Sequence, residues 1–187
     1  EGRYYLAMEW LGGGGSDGGG TPSSTMESWL DRPLADVLPV FLTLVRTVAF
    51  LHRKGIIHRD LKPANVMMTE FGPKLIDFGL VKDLEESRIL TQAGQVMGTV
   101  VFIPPEHLSG GECDARGDVF ALGVILYRLV SGGYPYDQRQ GFEALLECVR
   151  QGRFIPLAGR EGQAVDPGLA QVVERAMARE KGRRYPD

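Results

Sequence analysis

Apolar residues at positions 37, 38, 41, 44, 45, 48 and 51 recur at helical spacing, and the pattern predicts a largely buried helix from Asp36 to Lys54. Pro39 fits a helix best in its first turn, where a missing N–H costs nothing, so Asp36 is the expected N-cap. Arg53 and Lys54 suit the negative end of the helix dipole, and Gly55 can close the helix in the left-handed conformation. The same logic places a nearly all-apolar core helix over Asp118–Ser131, ended by Gly132-Gly133. A third helix is expected over Phe142–Gln151, and a fourth over Gly168–Arg179 with Asp166 as N-cap and Pro167 at the first helical position. Strand signals are shorter. Tyr4 to Leu11 is aromatic and apolar and stops at four glycines, while Ile56-Ile57 and Lys74-Leu75-Ile76 flank a polar loop. The expectation is an α+β domain, mostly helical, with a few short strands towards its N-terminal half.

Composition changes this picture little. The chain has 187 residues, enough for one domain, with 21 Lys+Arg against 24 Asp+Glu, a net charge of −3 and 43% hydrophobic residues. That balance excludes a disordered tail and a polybasic nucleic-acid module. Glycine is the outlier, with 25 residues, seven of them between Gly12 and Gly20, and the stretch 12–25 reads as a mobile Gly/Ser-rich insertion. Cys113 and Cys148 have no metal-ligand spacing and are read as free thiols in a reducing, cytoplasmic setting. The most apolar segment, Val37 to Leu51, carries Pro39 and Arg46 and falls short of the roughly 20 residues needed to span a bilayer, so no membrane segment is expected. There is no signal peptide, and the ends of the sequence suggest a piece of a longer protein.

Candidate chemistry is concentrated in Ile57-His58-Arg59-Asp60-Leu61-Lys62-Pro63-Ala64-Asn65 and Leu75-Ile76-Asp77-Phe78-Gly79. Either triplet, His58-Arg59-Asp60 or Asp77-Phe78-Gly79, would be weak alone. Here they occur in order, with Asn65 five residues after Asp60 and Asp77 twelve after Asn65. This constellation resembles the eukaryotic-type (Hanks-type) Ser/Thr protein kinases, including bacterial ones. Further matches follow at family spacing: Gly98-Thr99 and Pro104-Pro105-Glu106, where Pro104 replaces the family's alanine, and Lys181-Gly182-Arg183-Arg184 near the end.

The resemblance implies a fold and a set of roles. The fold is a kinase C-lobe over residues 26–187, preceded by a remnant of small-lobe strand and hinge at 1–11 and by the insertion at 12–25. Asp60 would orient the acceptor hydroxyl and take its proton, and Lys62 would reach the γ-phosphate. Asn65 and Asp77 would hold Mg²⁺. Thr99 would hydrogen-bond Asp60 and Lys62 and, with Lys62-Pro63, favours Ser/Thr acceptors over Tyr. Met8, Glu9 and Leu11 would line the adenine site, with Met67 packing beneath the base. His58 reads as a core histidine rather than a general base, Phe78 as packing, and Asp118 as a brace for the His58-Arg59 backbone.

Residues 77–106, with Gly79 in the opening motif, would be the activation segment, carrying Thr91 as the first phosphosite candidate and Ser87 as the second, and Arg59 could dock such a phosphate. Glu106 is expected to pair with Arg184, with Arg183 as competitor. ATP, Mg²⁺ and protein substrates are the implied partners, without nucleic acid, and the resemblance leaves room for a homodimer of the longer parent. No Gly-rich phosphate loop, clamp lysine or partner glutamate occurs in these residues, so this stretch alone is expected to be inactive or marginal. The rival readings are a pseudokinase or scaffold, and a small-molecule phosphotransferase, which would lack Lys62-Pro63 and the Gly98-Thr99…Pro105-Glu106 features.

Overall fold

A computed structural model describes residues 24–78, 97–160 and 163–186. The predicted strand over 4–11, the glycine run, Gly79, Ser87 and Thr91 lie outside the described residues. The elements in chain order are strand β1 (Ser24–Thr25), helix α1 (Leu34–Arg53), strands β2 (Val66–Thr69) and β3 (Gly72–Leu75), short helices α2 (Met97–Val100) and α3 (Pro105–Leu108), and helices α4 (Ala115–Ser131), α5 (Phe142–Gln151) and α6 (Pro167–Ala176).

Helix α4 forms the axis of the molecule. Thirteen of its 17 residues are buried, so its amphipathic pattern disappears into uniform apolarity, as expected of a helix covered on all sides. It packs against α1 and α6, and α3 packs against α5. The contact with α6 depends on Gly123, where a Cβ would stand 2.8 Å from Ala176 Cβ and 2.9 Å from Met177 Cγ. The helix begins at Ala115, three residues before the predicted start, with Asp114 capping it by accepting the Arg116 N–H, so Asp118 is not the residue that opens the helix but lies buried in its first turn. Gly132 ends it at φ 74°, as predicted.

Helix α1 corrects the sequence reading at its start. Its N-cap is Pro33, Asp36 falls in the first turn, and Pro39 sits in the second turn on the solvent side, where Thr43 donates to its carbonyl at 3.0 Å. The helix spans 20 residues with a mean hydropathy of 1.9 in its most apolar window, so by length and composition it could cross a bilayer, contrary to the shorter segment inferred from periodicity. Four of its side chains, Val37, Phe41, Leu44 and Val48, are buried in the core. Gly55 closes it at φ 73°, as anticipated.

The sheet is antiparallel in the order β1-β2-β3, with Thr25 opposite Met67 and Val66 opposite Leu75. Ser24-Thr25, read as the end of a mobile coil, are therefore strand, and Ile56-Ile57, read as strand-like, lie in the irregular connection after α1. Fixed by this hairpin on one side and α4 on the other, the polar loop 56–65 is held at the top of the helical core. Helix α6 starts at Pro167 with Asp166 accepting the Leu169 N–H, as predicted, and ends at Ala176 rather than Arg179.

Candidate active site

The loop 56–65 has almost no regular structure, so its backbone groups need other partners. Asp118, 2% exposed, supplies two: Oδ2 accepts the His58 N–H at 2.8 Å and Oδ1 accepts the Arg59 N–H at 2.9 Å. These bonds hold Arg59 at φ 65°, a left-handed conformation that costs a non-glycine residue about 1–3 kcal/mol. A charge-assisted bond contributes roughly 1.5–3 kcal/mol, so the pair outweighs the strain. Asp118 is thus the brace that the sequence indicates.

The strained residue precedes Asp60, whose side chain is 14% exposed. Asn65 Nδ2 donates to both the carboxylate (2.9 Å to Oδ2) and the carbonyl (2.8 Å) of Asp60, and Lys62 Nζ stands 3.3 Å from the same Oδ2. Pro63-Ala64-Asn65 form a single 3₁₀ turn that folds Asn65 back over Asp60. Asp60, Lys62 and Asn65 are therefore one hydrogen-bonded cluster. Asn65 is 6% exposed, and with its amide nitrogen engaged by Asp60 its Oδ1 is the atom left to act as a hard oxygen ligand.

Asp77 is tied to this cluster through its neighbour. The Ile76 N–H donates to the Asn65 carbonyl at 3.0 Å, and the Ile76 carbonyl accepts from His58 Nε2 at 3.1 Å. A carbonyl can only accept, so His58 carries its proton on Nε2, leaving Nδ1 to accept the Asp60 N–H at 3.3 Å. His58 is fully buried and spans the two chain segments, which is the structural part anticipated for it rather than proton transfer. Phe78 packs on its ring at 4.7 Å between centroids. Asp77 itself is exposed and holds φ 55°; it and Arg59 are the two non-glycine residues with positive φ among the described residues, and they flank the same cluster. Backbone strain gathered in this way marks sites whose geometry the surrounding fold over-determines.

Two other predicted residues are carried by β2 and α2. Met67 is half-buried on β2, and Thr99 is half-buried in α2, where its carbonyl accepts the Phe102 N–H. Met8, Glu9, Leu11, Gly79 and Thr91 lie outside the described residues. Glu106 meets Arg184, not Arg183: NH1 and NH2 donate to its two oxygens at 2.8 and 2.7 Å, while Arg183 pairs with Glu180 at the surface. The remaining donors of Arg184 go to the carbonyls of Ala178, Arg116 and Arg179, so all five N–H groups are used. Sequence reading missed His52, whose Nε2 lies 2.8 Å from Asp118 Oδ2; its place four residues after Val48 on the apolar stripe of α1 was the available signal. Cys113, read from the sequence as a free thiol, is one, and burial, with help from Glu106, Asp118 and Asp114, pushes it up to about 11.

The donor set is one of hard oxygens. Among the described residues no cluster of three His, Cys, Asp or Glu could hold a metal alone. Two oxygen ligands on adjoining segments suit Mg²⁺, which is commonly shared between one or two protein groups and substrate phosphates.

A family model for the protein kinase domain matches residues 2–184. The chain is 31% identical over 182 residues to the serine/threonine-protein kinase PknB of Mycobacterium leprae, covering 97% of the chain and 28% of that protein. It is 34% identical over 190 residues to the DNA damage-responsive serine/threonine-protein kinase RqkA of Deinococcus radiodurans, covering 98% of the chain and 26% of that protein. It is 33% identical over 193 residues to the serine/threonine-protein kinase PknL of Mycobacterium tuberculosis, covering the whole chain and 45% of that protein. The chain thus spans about a quarter of the length of the first two relatives.

Proposed function

The chain belongs to the Hanks-type Ser/Thr protein kinase family, and from that premise we propose that it carries the acceptor-binding and magnesium-holding half of a Ser/Thr protein kinase, the C-lobe. The observation that carries this reading is the Asp60 carboxylate, held by the Asn65 amide at 2.9 Å and faced by the Lys62 ammonium at 3.3 Å, with Asp77 one residue from the Ile76–Asn65 hydrogen bond.

Phosphoryl transfer asks little covalent chemistry of a protein and much positioning. Asp60 orients the incoming hydroxyl and takes its proton as the bond to phosphorus forms. Asn65 fixes the rotamer of Asp60 from behind, so the accepting oxygen is presented in one direction. Lys62, on the same side of the loop, balances charge on the transferred group. Asn65 Oδ1 and the Asp77 carboxylate would hold Mg²⁺, which when bound neutralises charge on the ATP phosphates. The residues with Thr99 and Lys62-Pro63 favour a Ser or Thr acceptor. The Gly-rich loop, clamp lysine and partner glutamate of the family are not among these residues, so transfer is assigned to a longer protein that carries this chain, and the stretch alone to little or no activity.

The test is phosphate transfer from radiolabelled ATP to a generic Ser/Thr substrate by that longer protein, with and without Asp60→Asn. A general base contributes about 10²–10⁴-fold, so the variant should lose that much of kcat while keeping its thermal transition. Full activity in the variant would refute the assignment. ATP binding without transfer in the unmodified protein would favour the scaffold reading instead.

A further inference from the structure

Resting on the kinase reading above, we propose that Arg128 selects protein acceptors that carry an anionic side chain, carboxylate or phosphate, near the hydroxyl to be phosphorylated. Its place follows from two runs of packing that border the loop of Asp60 and Asn65. On one side the 3₁₀ turn Met26–Trp29 packs against the turn Pro63–Asn65, and the chain leads from it directly to Asp31. On the other side the Phe102 N–H donates to the Thr99 carbonyl, and the Phe102 ring meets Tyr134 edge-on at 6.1 Å between centroids. The two runs join at Arg128, near the C-terminal end of α4. Its NH2 donates to Asp31 Oδ1 at 2.8 Å, and its guanidinium carbon lies 5.5 Å from the centre of the Tyr134 ring.

Positive charge is in surplus there. Arg160 reaches the same spot and donates to the carbonyls of Asp31, Leu30 and Leu129, but to no carboxylate. A carbonyl satisfies a donor without cancelling its charge. Two guanidiniums therefore share one carboxylate, Asp31, and each keeps a buried Nε with no hydrogen-bond partner among the described residues. Arg184 differs, since the Glu106 carboxylate meets it with both oxygens.

Asp31 shows how an anion would be held. Its side chain is 83% exposed, yet one of its oxygens reaches Arg128, whose own side chain is 14% exposed. A carboxylate thus approaches this guanidinium from the solvent side. From within, the Gly132 carbonyl accepts from NH1 and the Tyr134 ring supports the guanidinium face. An arginine ordered in this way loses little rotamer freedom on binding. Its pair with so exposed a partner contributes only about 0.2–1 kcal/mol, so an anion on the acceptor can displace Asp31. A lysine or arginine at the same place would meet two guanidiniums, and that repulsion sharpens the choice.

The test uses the intact protein that carries the chain and one Ser/Thr acceptor peptide, with Glu, phosphoserine, Ala or Lys placed at each neighbouring position in turn. At one position or more, kcat/KM for Glu or phosphoserine should exceed that for Lys about tenfold, chiefly through KM, and added salt should shrink the ratio. Phosphoserine ahead of Glu identifies phosphate as the favoured anion; Glu level with it or ahead identifies a carboxylate. Arg128→Glu should reverse the order, placing Lys ahead of Glu. Asp31→Asn removes the competing carboxylate at an exposed position and should widen the Glu-to-Ala ratio about twofold.

The proposal is overturned if no position favours an anion over Lys, or if folded Arg128→Glu keeps the original order. Should that variant lose its thermal transition, Asp31→Asn decides, and a ratio unchanged or narrowed overturns the proposal. If the unmodified protein phosphorylates none of the peptides, the kinase reading fails. Fluorescence anisotropy of the same peptides, labelled, needs no transfer and then decides separately. Tighter binding of the Glu or phosphoserine peptide than of the Lys peptide supports the assignment to Arg128, and equal binding overturns it.

Discussion

Two buried ionic systems meet the first turns of α4, and they use charge in opposite ways. Asp118 is an anion that reaches outward into an irregular loop and satisfies two backbone N–H groups there, one of them on Arg59, whose left-handed conformation a non-glycine residue rarely adopts alone. Arg184 is a cation that reaches inward, spends all five N–H groups on Glu106 and three carbonyls, and stitches the chain end to α3 and α4. The first converts helix rigidity into loop geometry; the second closes the core. Buried charge in this molecule therefore serves two ends, the geometry of a loop and the closure of the core.

The largest expected effect comes from breaking the second system. Arg184 is 3% exposed and the Glu106 side chain 14% exposed, so Arg184→Met leaves Glu106 largely desolvated and unpaired. Losing one member of such a pair costs about 3–5 kcal/mol. For a domain of this size that corresponds to a fall in the thermal midpoint of roughly 6–20 °C, read by calorimetry or circular dichroism. Arg184→Lys should recover little, since an ammonium cannot serve two carboxylate oxygens and three carbonyls together. At a temperature where the variant is folded, kcat should be nearly normal.

Breaking the first system should reverse that pattern. In Asp118→Asn the amide oxygen can accept one of the two loop N–H groups, but its NH₂ then faces the other donor. One buried donor is orphaned, at about 1–3 kcal/mol of stability. The larger consequence is for transfer, since a misplaced Asp60 should lower kcat about 10²-fold. The measurement is kcat beside the thermal midpoint in both variants. If Arg184→Met loses activity in proportion to Asp118→Asn at equal folded fraction, the two systems are not separable.

Periodicity made the helical body readable because burial is written directly into residue spacing: α5 matches its predicted ends, and the Gly55 and Gly132 caps fall where left-handed backbone was expected. The ends of α1 and α4 were misread for a common reason. Asp is an equally good cap or first-turn residue, and spacing alone does not say which. Strands β1 and β2 were not legible, since two to four residues of Ser, Thr, Val and Met carry too short a pattern and their pairing is set by distant partners. At the site, motif spacing indicated Asp60, Lys62 and Asn65 as neighbours and Glu106 as the partner of Arg184. It could not indicate His52, because a lone histidine on an apolar stripe carries no information about what faces it.

The smallest effect is the sharpest probe of the comparison, because Cys113 sits between the two systems. Gly117 makes the room: a Cβ there would stand 2.3 Å from the Cys113 sulfur, so the thiol packs where a side chain would otherwise be. Burial is the main cause that pushes Cys113 up to about 11, followed by the negative charges of Glu106, Asp118 and Asp114. At pH 8 the thiolate fraction is then about 100-fold below that of an ordinary cysteine, and iodoacetamide labelling should be slower by at least that factor than in the unfolded chain. The sign for stability follows: the unfolded thiol ionises from about pH 9 upward while the folded one stays neutral to about 11, so stability is intact below pH 9 and is lost as pH rises through that window. Glu106→Gln and Asp118→Asn each remove one of the charges, and each should move the labelling profile to lower pH by a fraction of the whole displacement. Since Glu106 ranks ahead of Asp118 among the charges acting on the sulfur, the first substitution should move it further. Profiles unchanged from that of the unsubstituted protein in both variants would mean that neither Glu106 nor Asp118 reaches this thiol through space.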